Sequence, residues 1–187
     1  MGNPLRDRRP LRVFAESAQI IEIAEKISGF ERLARIIEAD LATLEADRLP
    51  AGWRNSVVSG ELNFGFLDAQ RAVPALRGFA EVEIDAVCQR CLEPFRLPVS
   101  VQLRLVFTDE STVEGEDDGF EVWEHDEELL RPLDVVEESL IMALPYAPKH
   151  AAGEGCAVVS KPDKGAVVEL TRPFAALREQ MDGDKSR

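Results

Sequence analysis

The sequence is poor in cysteine and histidine and has no long apolar run. Three cysteines among 187 residues are odd in number and too few for a secreted disulfide framework. A reducing cytoplasm is therefore the expected compartment. No apolar stretch approaches the roughly 20 residues that cross a bilayer. The N-terminal arginines are not followed by an apolar core, so no secretory signal is expected. Only two histidines are present, which leaves few candidates for imidazole acid–base chemistry. The phosphate-loop, dinucleotide-loop, H-E-x-x-H and G-x-S-x-G patterns are all missing. With 45% apolar and 30% charged residues the composition is that of a globular protein, which excludes collagen, mucin-like stalks and wholesale disorder.

Negative charge is abundant but local. Residues 109–138 hold 14 acidic side chains against one base, Arg131, a balance of -13 that equals the net charge of the whole chain. The remainder is neutral. A neutral body with one acidic stretch is a poor general binder of DNA or RNA, which demands clustered Lys and Arg. It suits a basic partner.

The expected fold class is α+β, an antiparallel β-meander packed with N-terminal helices and a capped helix after an acidic loop. Residues 1–14, with Arg6, Arg8, Arg9 and Arg12 between Pro4 and Pro10, form a basic flexible N-terminal segment; 15–180 form a single domain; 181–187 form a frayed tail. Ile20, Ile23, Ala24 and Ile27 recur at helical spacing up to Gly29, predicting a first helix. Leu33, Ile36, Ile37, Leu41 and Leu44 predict a second. From Trp53 the period becomes two, and strands are predicted near 58–66, 79–87 and 95–107. The last is the clearest, with seven apolar residues from Phe95 to Phe107 on one face. The acidic loop covers about 109–128, and Phe120, Val122 and Trp123 suggest a short strand within it. Asp134 with Glu137 three residues on has capping-box spacing for a helix that ends at Pro145. Thr171-Arg172-Pro173-Phe174 suggests a short C-terminal helix.

The most specific local feature is Cys88-Gln89-Arg90-Cys91-Leu92-Glu93-Pro94, between two predicted strands. A C-x2-C turn aims two thiolates at one centre, half of a tetrahedral zinc site. His150 and Cys156 would complete a Cys3His set, with His125 the other soft ligand in the chain. Three readings stay open: a structural metal site, a redox pair, and two thiols buried as small hydrophobes. A redox pair calls for a helix N-terminus, and the flanks here are strands. Arg90, Arg96 and Arg104 form a potential basic patch near the turn. Trp53 and Trp123 are expected in the core or at an edge rather than as stacking platforms. The acidic loop fails the calcium-loop pattern, because its twelfth position falls on His125.

The segment Val87 to Phe95 resembles the signature of the YceD family of large ribosomal RNA subunit accumulation proteins. Glu138 to Pro145 resembles that family's helix ending in Leu-Pro. His150 followed by Cys156 resembles its downstream His/Cys loop, and Arg172-Pro173-Phe174-Ala175-Ala176-Leu177 its terminal Pro-Phe-x-x-Leu. In series these pieces span about residues 15–180. The resemblance implies a non-enzymatic, cytoplasmic factor in the accumulation of 23S rRNA; the alternatives are direct rRNA binding through the Arg6–Arg12 cluster and the arginines near the turn, and a hydrolase working through metal held by the acidic cluster. The factor's expected partners are a basic large-subunit ribosomal protein or the 23S rRNA precursor, with no membrane and no DNA. Zinc is the one cofactor for which the sequence provides ligands.

Overall fold

Apolar alternation builds a five-stranded sheet whose strands follow one another in chain order. They are β1 (Ile20–Lys26), β2 (Val57–Phe66), β3 (Pro74–Val87), β4 (Pro94–Phe107) and β5 (Glu121–Trp123). The first four are antiparallel; β5 runs parallel to β4, with Val106 beside Val122. Three helices accompany the sheet: α1 (Leu11–Glu16), α2 (Glu31–Leu41) and α3 (Pro132–Ala143). This computed structural model describes residues 3–67, 69–70, 73–107, 119–123, 129–151 and 156. The chain divides into two compact units, Met1–Gly155 and Cys156–Arg187, and of the second only Cys156 is described. The expected terminal helix near Phe174, the tail and most of the acidic loop lie outside the described residues. Among the described residues no helix is long and apolar enough to cross a membrane.

The α+β architecture is as expected, with one correction. The predicted first helix is strand β1. Ile21 and Ile23 are buried while Ile20, Glu22 and Ala24 face out, a two-residue period that puts Ile20 on the face opposite Ile23. β-branched isoleucines lose rotamer freedom in a helix and pack well on a pleated surface. Pairing of Ile21 with Leu62 and Ile23 with Gly60 decides the matter. Within the basic N-terminal segment, Pro10 precedes α1, and Leu5 is fully buried. Phe14 of α1 stacks on Phe64 with ring centroids 4.9 Å apart. Burying a side chain of that size is worth about 1.5–3 kcal/mol.

The core lies between the helices and one face of the sheet. Leu62, Leu76, Val82, Ile84, Val99 and Leu103 line that face, met by Leu33 and Ile37 of α2 and by Val136 and Leu140 of α3. Gly78 permits close strand approach, because a Cβ there would stand 2.2 Å from the Glu61 carbonyl oxygen.

The capping box predicted for α3 takes a different form. Arg131 precedes the helix, Pro132 opens it and Asp134 pairs with Arg131. Glu137 reaches away from its own helix: its Oε1 accepts the Arg32 N–H at 2.7 Å and the Leu33 N–H at 3.1 Å. Those are first-turn amides of α2, whose own N-cap, Phe30, has no capping side chain. A buried carboxylate of one helix thus caps another.

Candidate functional site

The C-x2-C turn joins the end of β3 to the start of β4, so the long central hairpin fixes both cysteines. The Cys88 N–H donates to the Glu93 carbonyl at 2.9 Å, and the Leu92 N–H donates to the Cys88 carbonyl at 2.8 Å. Leu92 closes the turn with φ of 59°, a left-handed conformation in which a side chain is strained. Asp40, at the end of α2, accepts the Val87 N–H at 2.8 Å, and Arg48 pairs with Glu93. The loop after α3 is clamped to the same turn, since the Gln89 N–H donates to the Pro148 carbonyl at 2.9 Å.

That clamp delivers His150. Its Nδ1 lies 3.5 Å from the Cys91 Sγ, and its ring packs on Phe95, with centroids 4.7 Å apart. The ligand atoms of Cys88, Cys91 and His150 all lie within 4.8 Å of one another. Burial pushes the Cys88 thiol up, but the backbone N–H groups of His150, Cys91 and Arg90 and the Cys91 side chain pull it down to about 5. Cys88 is therefore a thiolate at neutral pH, held by amide donors in a buried turn. Cys156 is the first residue of the second unit, five residues of chain separating it from His150. His125 lies outside the described residues.

The geometry fits a soft metal ion. With zinc–sulfur near 2.3 Å and zinc–nitrogen near 2.0–2.1 Å, a tetrahedral S···N edge is about 3.5–3.6 Å. The Cys91–His150 separation has that length. A Cys/His cluster able to bind a metal is thus in place.

The arginines regroup. Arg96 is engaged by Glu83 and Asp85, at 2.9 and 3.0 Å, while Arg90 sits exposed on the turn. They do not form one patch with Arg104. Arg104 instead stands directly across from Arg77 in the β3–β4 ladder. Sequence reasoning missed Arg77, because its register with Arg104 depends on the β3–β4 turn. Trp53 and Trp123 both pack against the core as expected.

Residues 76–184 match the family described as Large ribosomal RNA subunit accumulation protein YceD. This chain belongs to the YceD family. A YceD relative of that same description, from Haemophilus influenzae, is 27% identical over 146 residues, covering 73% of this chain and 82% of the relative. No solved structure matches the chain. The YceD match includes Cys88, Cys91, His150 and Cys156, and it begins inside β3.

Proposed function

We propose that this chain is a non-enzymatic factor that promotes the synthesis, processing or accumulation of 23S rRNA during assembly of the large ribosomal subunit. The observation that carries this reading is the family match over residues 76–184. The finer mechanism rests on charge. The stretch of residues 109–138, at -13, would hold a Lys/Arg-rich ribosomal protein in the cytoplasm until rRNA takes it over. Opposite charge speeds such an encounter and makes it salt-sensitive. Affinity purification of the tagged chain at low salt tests this. Large-subunit proteins that stay enriched after RNase treatment are the expected result; recovery of no ribosomal protein would overturn the partner. A second reading, direct contact with rRNA, is favoured by the opposed Arg77 and Arg104.

The metal centre in this reading is a structural zinc site of Cys88, Cys91, His150 and Cys156. The amide-held Cys88 thiolate and the Cys91–His150 separation support it. Five intervening residues reach up to about 20 Å, ample for Cys156 to serve as the fourth ligand. A closed four-ligand set stabilises the fold and leaves no open position for catalysis. It would fasten the loop after α3 to the central hairpin. Elemental analysis of the purified full chain should find about one zinc per chain, reduced in Cys91→Ser. A metal-free chain whose melting temperature does not respond to added zinc would refute the site.

A further inference from the structure

The helices cover one face of the sheet, and the opposite face carries a polar and aromatic array. Arg77 and Arg104 stand opposite one another, both exposed, in a ladder where like charges repel. The guanidinium of Arg77 lies 4.9 Å from the ring centroid of Phe120. Arg104 reaches the same place from β4, its Nη1 being 3.6 Å from where a Cβ on Gly119 would stand. Neither arginine has an ion pair among the described residues, whereas eight others pair with carboxylates. Two facing arginines with no ion pair among the described residues can together hold one anion.

The next row of the sheet supplies a stacking surface. Phe79, two residues beyond Arg77, leaves 41% of its surface exposed and stands between Gln102 of β4 and Glu61 of β2 in the ladder. Asn63 lies across from Arg77 on the other side, its amide engaged by Glu61 at 2.8 Å. Single-stranded RNA offers the matching sequence of features: a phosphate for the arginine pair, a base to stack on an aromatic ring and base edges for the amides.

We infer that the sheet face opposite the helices binds single-stranded RNA, a backbone phosphate lying between Arg77 and Arg104 and an adjacent base stacking on Phe79. The choice of RNA rests on the large-subunit reading; the site itself rests on the sheet. The test is fluorescence anisotropy of the purified full chain with a labelled single-stranded RNA of about 12 nucleotides at about 50 mM salt, where a Kd on the order of micromolar is expected. The double variant Arg77→Ala/Arg104→Ala should weaken binding at least about tenfold and lower the log–log salt slope by about 0.7, the share of one phosphate contact on a single strand. Phe79→Ala, at a partly exposed position, should weaken it at least about fivefold. Arg35→Ala removes one positive charge from the exposed side of α2 and should bind like the parent. The inference is overturned if the parent does not bind, if the double variant binds like the parent, or if Arg35→Ala loses as much as the double variant. The two readings fail separately. Loss of 23S rRNA on depletion of the chain, with no RNA binding in vitro, removes the site and keeps the role. Binding in vitro with normal 23S rRNA on depletion does the reverse.

Discussion

Replacing Glu137 by alanine tests the link between the two long helices. Its side chain is buried, and one oxygen accepts two main-chain N–H groups at the start of α2, at 2.7 and 3.1 Å. Glu137→Ala removes the acceptor of both donors, the Arg32 N–H in a part-buried and the Leu33 N–H in a buried setting. An orphaned buried donor costs about 1–3 kcal/mol, and loss of an N-cap side chain costs about 0.5–2 kcal/mol. These terms overlap, so the expected loss is about 2–4 kcal/mol. Glu137→Gln keeps a carbonyl oxygen but gives up the charge beside the helix dipole, and should lose only about 1 kcal/mol. The neighbouring Glu138 pairs with Arg32 at the surface, so Glu138→Ala should cost less than about 1 kcal/mol. Urea denaturation of the four proteins, read by far-ultraviolet circular dichroism, gives the three differences. If Glu137→Ala falls within about 0.5 kcal/mol of the parent, as a surface substitution would, the inter-helix cap is not a stabilising contact.

Three further substitutions probe the hairpin and its turn. Leu92→Asn removes an exposed side chain from a left-handed position that asparagine tolerates, and should stabilise the chain by about 0.5–1 kcal/mol in thermal melts; a clear loss would mean that Leu92 makes a contact worth more than its strain. Gly78→Ala sets a Cβ against the Glu61 carbonyl and should destabilise by about 1–3 kcal/mol in the same melts, with an unchanged melting temperature as the contrary result. Asp40→Ala removes the acceptor for the Val87 N–H, just before Cys88, and should cost about 1–2 kcal/mol in urea denaturation. It should also speed zinc loss to a chelator; a variant that holds zinc like the parent would show that the turn keeps its shape without this anchor.

Much of the fold was legible because strand periodicity is strong where one face is buried. β4 is the clearest case: its apolar residues from Phe95 to Phe107 face the helices, and Arg96, Ser100, Gln102 and Arg104 face away. The error at β1 has a simple origin. Seven residues with four apolar positions fit both periods, and the decision comes from Leu62 and Gly60, about 40 residues away in the chain. Glu137 was legible as a capping residue but not as the cap of a different helix, since that depends on how α2 and α3 cross. Cys88, Cys91 and His150 were legible as candidate ligands by residue type, and the structure brings these three together. The facing of Arg77 and Arg104 was not legible, because a one-residue change in the β3–β4 turn would move them apart.

The central claim is that this chain supports accumulation of large-subunit rRNA. The most direct measurement is the ratio of 23S to small-subunit rRNA in host cells depleted of the chain, with and without restoration from a plasmid. The account predicts a fall in that ratio on depletion and its recovery on restoration. An unchanged ratio in fully depleted cells would contradict it.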